Sequence, residues 1–259
     1  MWFLVALLVV APIGWALAGA PAVPGVLEWT EQQAPELARR ATLNPIALGA
    51  AALVGAGLGA GRARMTTTHV STLAHEFGHG LTAAMLGGRV RRIRTHRDGS
   101  GAAYTALPDG RPLSQLLVAA MGYLSPGVLA LARMRVADAG LATLWVAYLV
   151  VGVAVMLVLV IRSWWAVLTT LGLAASGWAV VVFAPDAVVT VLVAGLAGVL
   201  AGGGTVDAWD QWRARRGPSG SDAATMAAQT GLPVGLFAGG HLLMASVLAT
   251  ATLTVPWWP

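Results

Sequence analysis

Residues 75–79 read His-Glu-Phe-Gly-His, two imidazoles one helical turn apart with a carboxylate between them. On a helix, positions i and i+4 lie on one face. Both rings can therefore reach one Zn2+ at roughly 2.0–2.1 Å. Glu76 projects beside them, placed to take a proton from an attacking water and to pass it to a leaving amine. The chemistry such a spacing supports is metal-assisted hydrolysis, with one zinc ion per chain. The bland alternative is a set of structural polar residues packed between helices. It must place a carboxylate and two imidazoles within five consecutive residues of an apolar segment, where each ionisable group costs about 2.5–3.5 kcal/mol at mid-bilayer. A bound cation offsets that cost.

A catalytic zinc takes three protein ligands and keeps the fourth position open. The third ligand must come from elsewhere, and Asp207, Asp210, Asp222 and His241 are the candidates, with His69 and His96 behind them. Asp222 stands where a short helix begins, between Ser221 and Ala223, so backbone geometry can aim its carboxylate; the same position suits a helix N-cap. Asp207 is the next choice. His69 is six residues before His75, too far round and along the helix. His96 sits in an arginine-rich loop and reads as a solvated surface residue. His241 lies inside an apolar run, where a buried polar partner is as good a reading as a ligand. Asp186 falls on the wrong side of the membrane for this site.

The elements that must position these groups are membrane helices. Of 259 residues, 57% are hydrophobic and only 10% charged, with a mean hydropathy of +0.73. A soluble domain carries about 25% charged residues, so the surface is built for lipid. Eight apolar runs approach the length that spans about 30 Å of hydrocarbon: Trp2–Ala18, Pro45–Ala60, Thr66–Leu86, Leu113–Leu131, Leu141–Ile161, Trp164–Phe183, Val188–Ala201 and Val234–Thr254. The expected fold is an all-α polytopic bundle of about eight transmembrane helices (six to eight), one domain over residues 1–259. The first run resembles a signal peptide, but no positive charge precedes it, and a basic n-region is part of that signal; it reads as a retained helix.

All 16 basic residues are arginine, and the net charge is +5. They sit in short connections, where they meet anionic headgroups and set orientation, so nucleic-acid binding is not expected. With eight crossings, one side holds twelve arginines and the other four; the richer side is the cytoplasmic one. This points to a plasma (inner) membrane protein with its site toward the cytoplasm. Cysteine is absent, which excludes disulfides, thiolate metal sites and cysteine nucleophiles. Nothing in the sequence specifies an oligomeric state.

Two connections exceed tight turns. Residues 87–111, with Asp-Gly and Gly-Ser breaks between short alternating pieces, predict strands and a hairpin. Residues 202–231 open on a glycine hinge and close on a short helix capped by Ser221 or Asp222; they form the cytoplasmic loop that carries the candidate third ligand. Trp257 and Trp258 read as an interfacial aromatic anchor.

On STLAHEFGHGLTAAMLGGRVRRI, on GYLSP at Gly122–Pro126 and on GSDAATMAAQTGLP, the chain resembles the site-2 protease family of intramembrane zinc metalloproteases, in particular its compact branch without a PDZ domain. The resemblance runs from Thr66 to about Val234. It implies His75 and His79 as ligands, Glu76 as general base, an aspartate as third ligand, and cleavage of membrane-protein substrates within or beside the lipid bilayer. It also implies that Val90–Thr105 forms strands that hold substrate in extended form. The larger family's Leu-Asp-Gly third-ligand motif is missing, and Asp222 in Ser-Asp-Ala is the nearest match. Two rival readings are a metal-binding membrane transporter, with Glu76 as ligand or proton relay, and a catalytically inactive scaffold.

Overall fold

The computed structural model describes residues 41–61, 64–108, 112–159, 164–215 and 220–258, with Glu28 and Gln32 besides. The first expected span, Trp2–Ala18, lies outside the described residues. Among those described, eight α-helices and one small antiparallel sheet form the fold.

Helix α1 (Pro45–Ala60) starts where Asn44 caps it: the Asn44 Oδ1 accepts from the Ala47 N–H at 2.8 Å, and Pro45 occupies the first turn, where its missing N–H is harmless. Helix α2 (Arg64–Met85) carries the His-Glu-Phe-Gly-His segment. After the hairpin come α3 (Pro112–Asp138), α4 (Ala142–Leu159), α5 (Trp164–Phe183), α6 (Asp186–Ala214), α7 (Asp222–Thr230) and α8 (Val234–Thr254), which runs into a 3-10 turn at Val255–Trp257. Among the described residues, three helices are long and apolar enough to cross a membrane: Pro112–Asp138, Asp186–Ala214 and Val234–Trp257. Pro45–Ala60, Ala142–Gly152 and Thr170–Phe183 are shorter apolar helices.

Two of the apolar runs, Pro45–Ala60 and Val188–Ala201, lie in helices that pack on each other through glycines. Gly55 and Gly59 of α1 and Gly198 and Gly202 of α6 form two small-xxx-small motifs, and a Cβ at any of the four would collide with a carbonyl oxygen of the other helix. Such close backbone approach is what glycine permits between lipid-embedded helices. This corrects the expected loop at residues 202–231. Gly202–Gly204 do not hinge; α6 runs through them to Ala214, because they pack against Ala56, Ser71 and Pro126. Leu48, Met134, Trp145, Val189, Val193 and Val255 fill the core between α1, α3, α4 and α6.

The expected hairpin is present. β1 (Arg89–Thr95) pairs antiparallel with β2 (Gly101–Ala106), Arg89 opposite Ala106 and Thr95 opposite Gly101, with a bulge between Val90 and Arg92. Its direction was not foreseen. Gly88, at its base, abuts Ala83, whereas Gly99, at its tip, abuts Thr68. The hairpin therefore lies back along α2 for about 22 Å at 1.5 Å per residue. Thr72 fastens the tip, its hydroxyl donating to the Gly99 carbonyl at 2.6 Å. Gly99 itself has φ +83, a conformation glycine adopts without strain. In consequence Arg97 stands near the opposite end of α2 from Arg89.

Candidate metal centre

The site is assembled where α2, α3, α7 and the hairpin meet. His75 and His79 project from one face of α2. Their Nε2 atoms lie 3.1 Å apart. Asp222 Oδ2 stands 3.2 Å from the first and 3.3 Å from the second. Zinc at 2.0–2.1 Å from ligands in a tetrahedron separates them by roughly 3.3 Å, so this spacing suits one small cation. The chemistry of the donors agrees. His79 Nδ1 faces the Val118 carbonyl at 2.7 Å, and a carbonyl can only accept, so Nδ1 carries a proton. The Nε2 of the neutral ring then presents a lone pair to the centre, the arrangement metal-ligating histidines share. Two lone pairs and a carboxylate oxygen this close require positive charge between them, a metal ion or protons on the rings. These three residues are a group that could hold a metal ion.

Asp222 reaches the centre because its neighbour frees it. Ser221 is the N-cap of α7, its hydroxyl accepting from the Ala224 N–H at 3.3 Å. The helix stops at Gly231, which has φ +72, with Pro233 beyond. Capping thus falls to Ser221 and leaves the Asp222 carboxylate to face the histidines. Burial alone would push the Asp222 carboxyl up; the His75 and His79 imidazoles facing it outweigh that and hold it well below the usual carboxylate range. The other candidates stand elsewhere. Asp207 accepts from the Ser71 hydroxyl at 3.2 Å. His241 Nδ1 faces Gln211 Oε1 at 2.9 Å. Asp186 accepts from the Thr143 hydroxyl at 2.9 Å at the start of α6. Asp210, His69 and His96 do not join the group.

Glu76 is buried, 5% exposed, beside the pair. The Ala103 backbone N–H of β2 donates to its carboxylate, and Gly101 leaves it room: a Cβ there would stand 2.8 Å from both Glu76 Cγ and Oε1. The hairpin thus touches the carboxylate directly.

The GYLSP segment acts here in ways its sequence did not disclose. A Cβ at Gly122 would stand 2.5 Å from His79 Nε2 and 2.8 Å from His75 Cε1, so the absent side chain is the room the rings occupy. Pro126 has no N–H to give the Gly122 carbonyl. The Ser125 hydroxyl lies 3.1 Å from that oxygen and 2.7 Å from the Ala74 carbonyl of α2, answering the proline defect and tying α3 to α2. Tyr123 meets His75 edge to face with ring centres 4.7 Å apart, and stacks on His241 at 5.0 Å. Sequence reasoning passed over Gly122, Tyr123 and Gln211; only the GYLSP resemblance pointed toward the first two.

A family model described as Peptidase M50B-like matches residues 47–252. That span holds every residue of the centre. No curated protein and no solved structure matches the chain. With a His-x-x-x-His pair meeting a distant aspartate among apolar helices, the chain belongs to the Peptidase M50B-like family, and so to the site-2 protease family of membrane metallopeptidases.

Proposed function

We propose that this protein is an intramembrane zinc metalloprotease that hydrolyses peptide bonds in or near transmembrane segments of other membrane proteins. His75, His79 and Asp222 would hold one Zn2+, and Glu76 would act as general base and then general acid. The observation that carries the reading is the convergence of two imidazole nitrogens and one carboxylate oxygen within 3.1–3.3 Å of one another, with a buried glutamate alongside. When bound, the ion supplies Lewis acidity, acidifying water and polarising the scissile carbonyl. Everything else falls to the chain. Val118 holds the His79 tautomer through its carbonyl, Gly122 keeps the centre clear, and Ala103 orients the Glu76 carboxylate through its N–H.

A peptide bond inside a helix is shielded, so a substrate segment must unwind, and its freed backbone groups need partners in lipid. The reading assigns that task to β2, which adjoins Glu76 and offers strand addition. About eight crossings of the plasma membrane, with the site toward the cytoplasm, complete the proposal.

Glu76→Gln tests it against the transporter and inactive-scaffold readings. Purified protein should keep stoichiometric zinc and lose all cleavage of a membrane-embedded substrate. Asp222→Ala should lose both. Cleavage that survives Glu76→Gln, or zinc that survives Asp222→Ala at full affinity, would sink the assignment.

A further inference from the structure

A second feature of the bundle is unrelated to the metal centre. Val70, Leu73, Ala74 and Phe77 occupy the face of α2 about 160° from the His75–Glu76–His79 face, at 3.6 residues per turn. They line a half-open cavity of about 210 Å3 together with residues of α3, α4, α5 and α6. Its walls are apolar apart from Arg133, with Trp145 and Thr170 also among the lining residues. Arg133 Nε, Trp145 Nε1 and Thr170 Oγ1 have no hydrogen-bond partner among the described residues. Trp145 is fully buried and Thr170 is 1% exposed. All three are donors, and one is a permanent cation. A guanidinium held in an apolar cavity without a counter-charge is costly, so the set calls for an anion.

The depth of these donors says what kind. Arg133 comes five residues before the end of α3 and Trp145 three residues after the start of α4, so both stand at the cavity end next to the α3–α4 turn. Two residues on from Arg133, the Arg135 guanidinium lies over the Trp258 ring at 4.5 Å. Trp257 and Trp258 are exposed, as aromatic anchors at a membrane interface are. Arg133 thus sits just beneath headgroup level. Thr170 lies deeper, two turns from Gly177, which packs on Val146 and Val150. The space between is lined by apolar side chains of α2, α4 and α5. It exceeds the roughly 150 Å3 dry cavity that takes up benzene, and it suits an alkyl chain.

We infer that this cavity binds an anionic glycerophospholipid, its phosphate received by the Arg133 guanidinium and one acyl chain laid between α2, α4 and α5 past Thr170. The lipid would be a bound component of the bundle, distinct from bulk bilayer and from substrate.

The test is native mass spectrometry of the full chain in detergent, titrated with phosphatidylglycerol and, separately, with phosphatidylcholine. Wild type should retain phosphatidylglycerol preferentially. Arg133→Gln should weaken that binding roughly tenfold or more, the loss expected for a charge-assisted hydrogen bond. Arg135→Gln, outside the cavity, should leave it unchanged. Should Arg133→Gln fail to fold, Ala174→Phe carries the test: it keeps all three donors, fills the tail space, and should weaken retention of phosphatidylglycerol. Equal retention of both lipids, or retention indifferent to Arg133→Gln and Ala174→Phe, would overturn the inference. So would binding of oleate in place of phospholipid, or of a synthetic transmembrane peptide that Ala174→Phe excludes while phosphatidylglycerol still binds.

Discussion

Gly122→Ala is a change of one methyl group in the interior of a helix, where alanine normally gains about 0.5–1 kcal/mol over glycine. Here the added carbon would stand 2.5 Å from His79 Nε2 and 2.8 Å from His75 Cε1. Ordinary carbon contacts begin near 3.5 Å, so the rings must retreat by roughly 0.7–1 Å. Helix α3 cannot give way easily, because Ser125 ties it to the Ala74 carbonyl and Pro126 packs on Gly204. Metal–ligand distances tolerate only about 0.2 Å, several times less than the required shift. Overpacking of this size costs about 1–3 kcal/mol, partly offset by helix propensity, so the protein should melt within a few degrees of wild type. Metal affinity should fall at least 10–100-fold, the range seen when groups that orient metal ligands are removed. The assay pairs metal content by inductively coupled plasma mass spectrometry, after competition with a chelator, with a thermal melt. Gly57→Ala is the control, since a Cβ there meets nothing within 4 Å. Wild-type zinc affinity in Gly122→Ala would refute the claim that these two rings share one ion beside α3.

Gly101→Ala pushes a methyl against Glu76 while leaving His75 and His79 untouched, so zinc should stay bound and cleavage should fall at least tenfold, a loss of about 1.4 kcal/mol in transition-state stabilisation; full activity would break the link between hairpin and base. Ser125→Ala removes the hydroxyl serving both the Gly122 and Ala74 carbonyls, and should destabilise the detergent-solubilised protein by about 1–3 kcal/mol, read as a lower melting temperature that Ser125→Thr partly restores. Asp222→Asn keeps the shape but not the charge, so zinc should bind more weakly than in wild type at every chelator concentration; an unchanged titration curve would remove Asp222 from the ligand set.

Local order was legible in the sequence wherever it depends on near neighbours. A turn of helix puts residues 75 and 79 on one face whatever surrounds it, so the pair and its intervening glutamate could be read directly. Asp-Gly and Gly-Ser breaks likewise specify a hairpin, and a run of twenty apolar residues specifies a membrane helix. What lay beyond reach was every distance between segments remote in the chain. The start of a short helix favours Asp222 over Asp207 and Asp210, but no spacing along the chain tells which carboxylate reaches the histidines. Only the docking of α7, with Ser221 taking the cap, turns Asp222 to the histidines, while Ser71 occupies Asp207. Gly202–Gly204 looked like a hinge because glycine is flexible alone; pressed against α1, α2 and α3, the same residues are the condition for close packing. The direction of the hairpin, back along α2 rather than out into a loop, also had no local cause. It follows from Gly88 and Gly99 each fitting a surface of α2, contacts that exist only once both elements are formed.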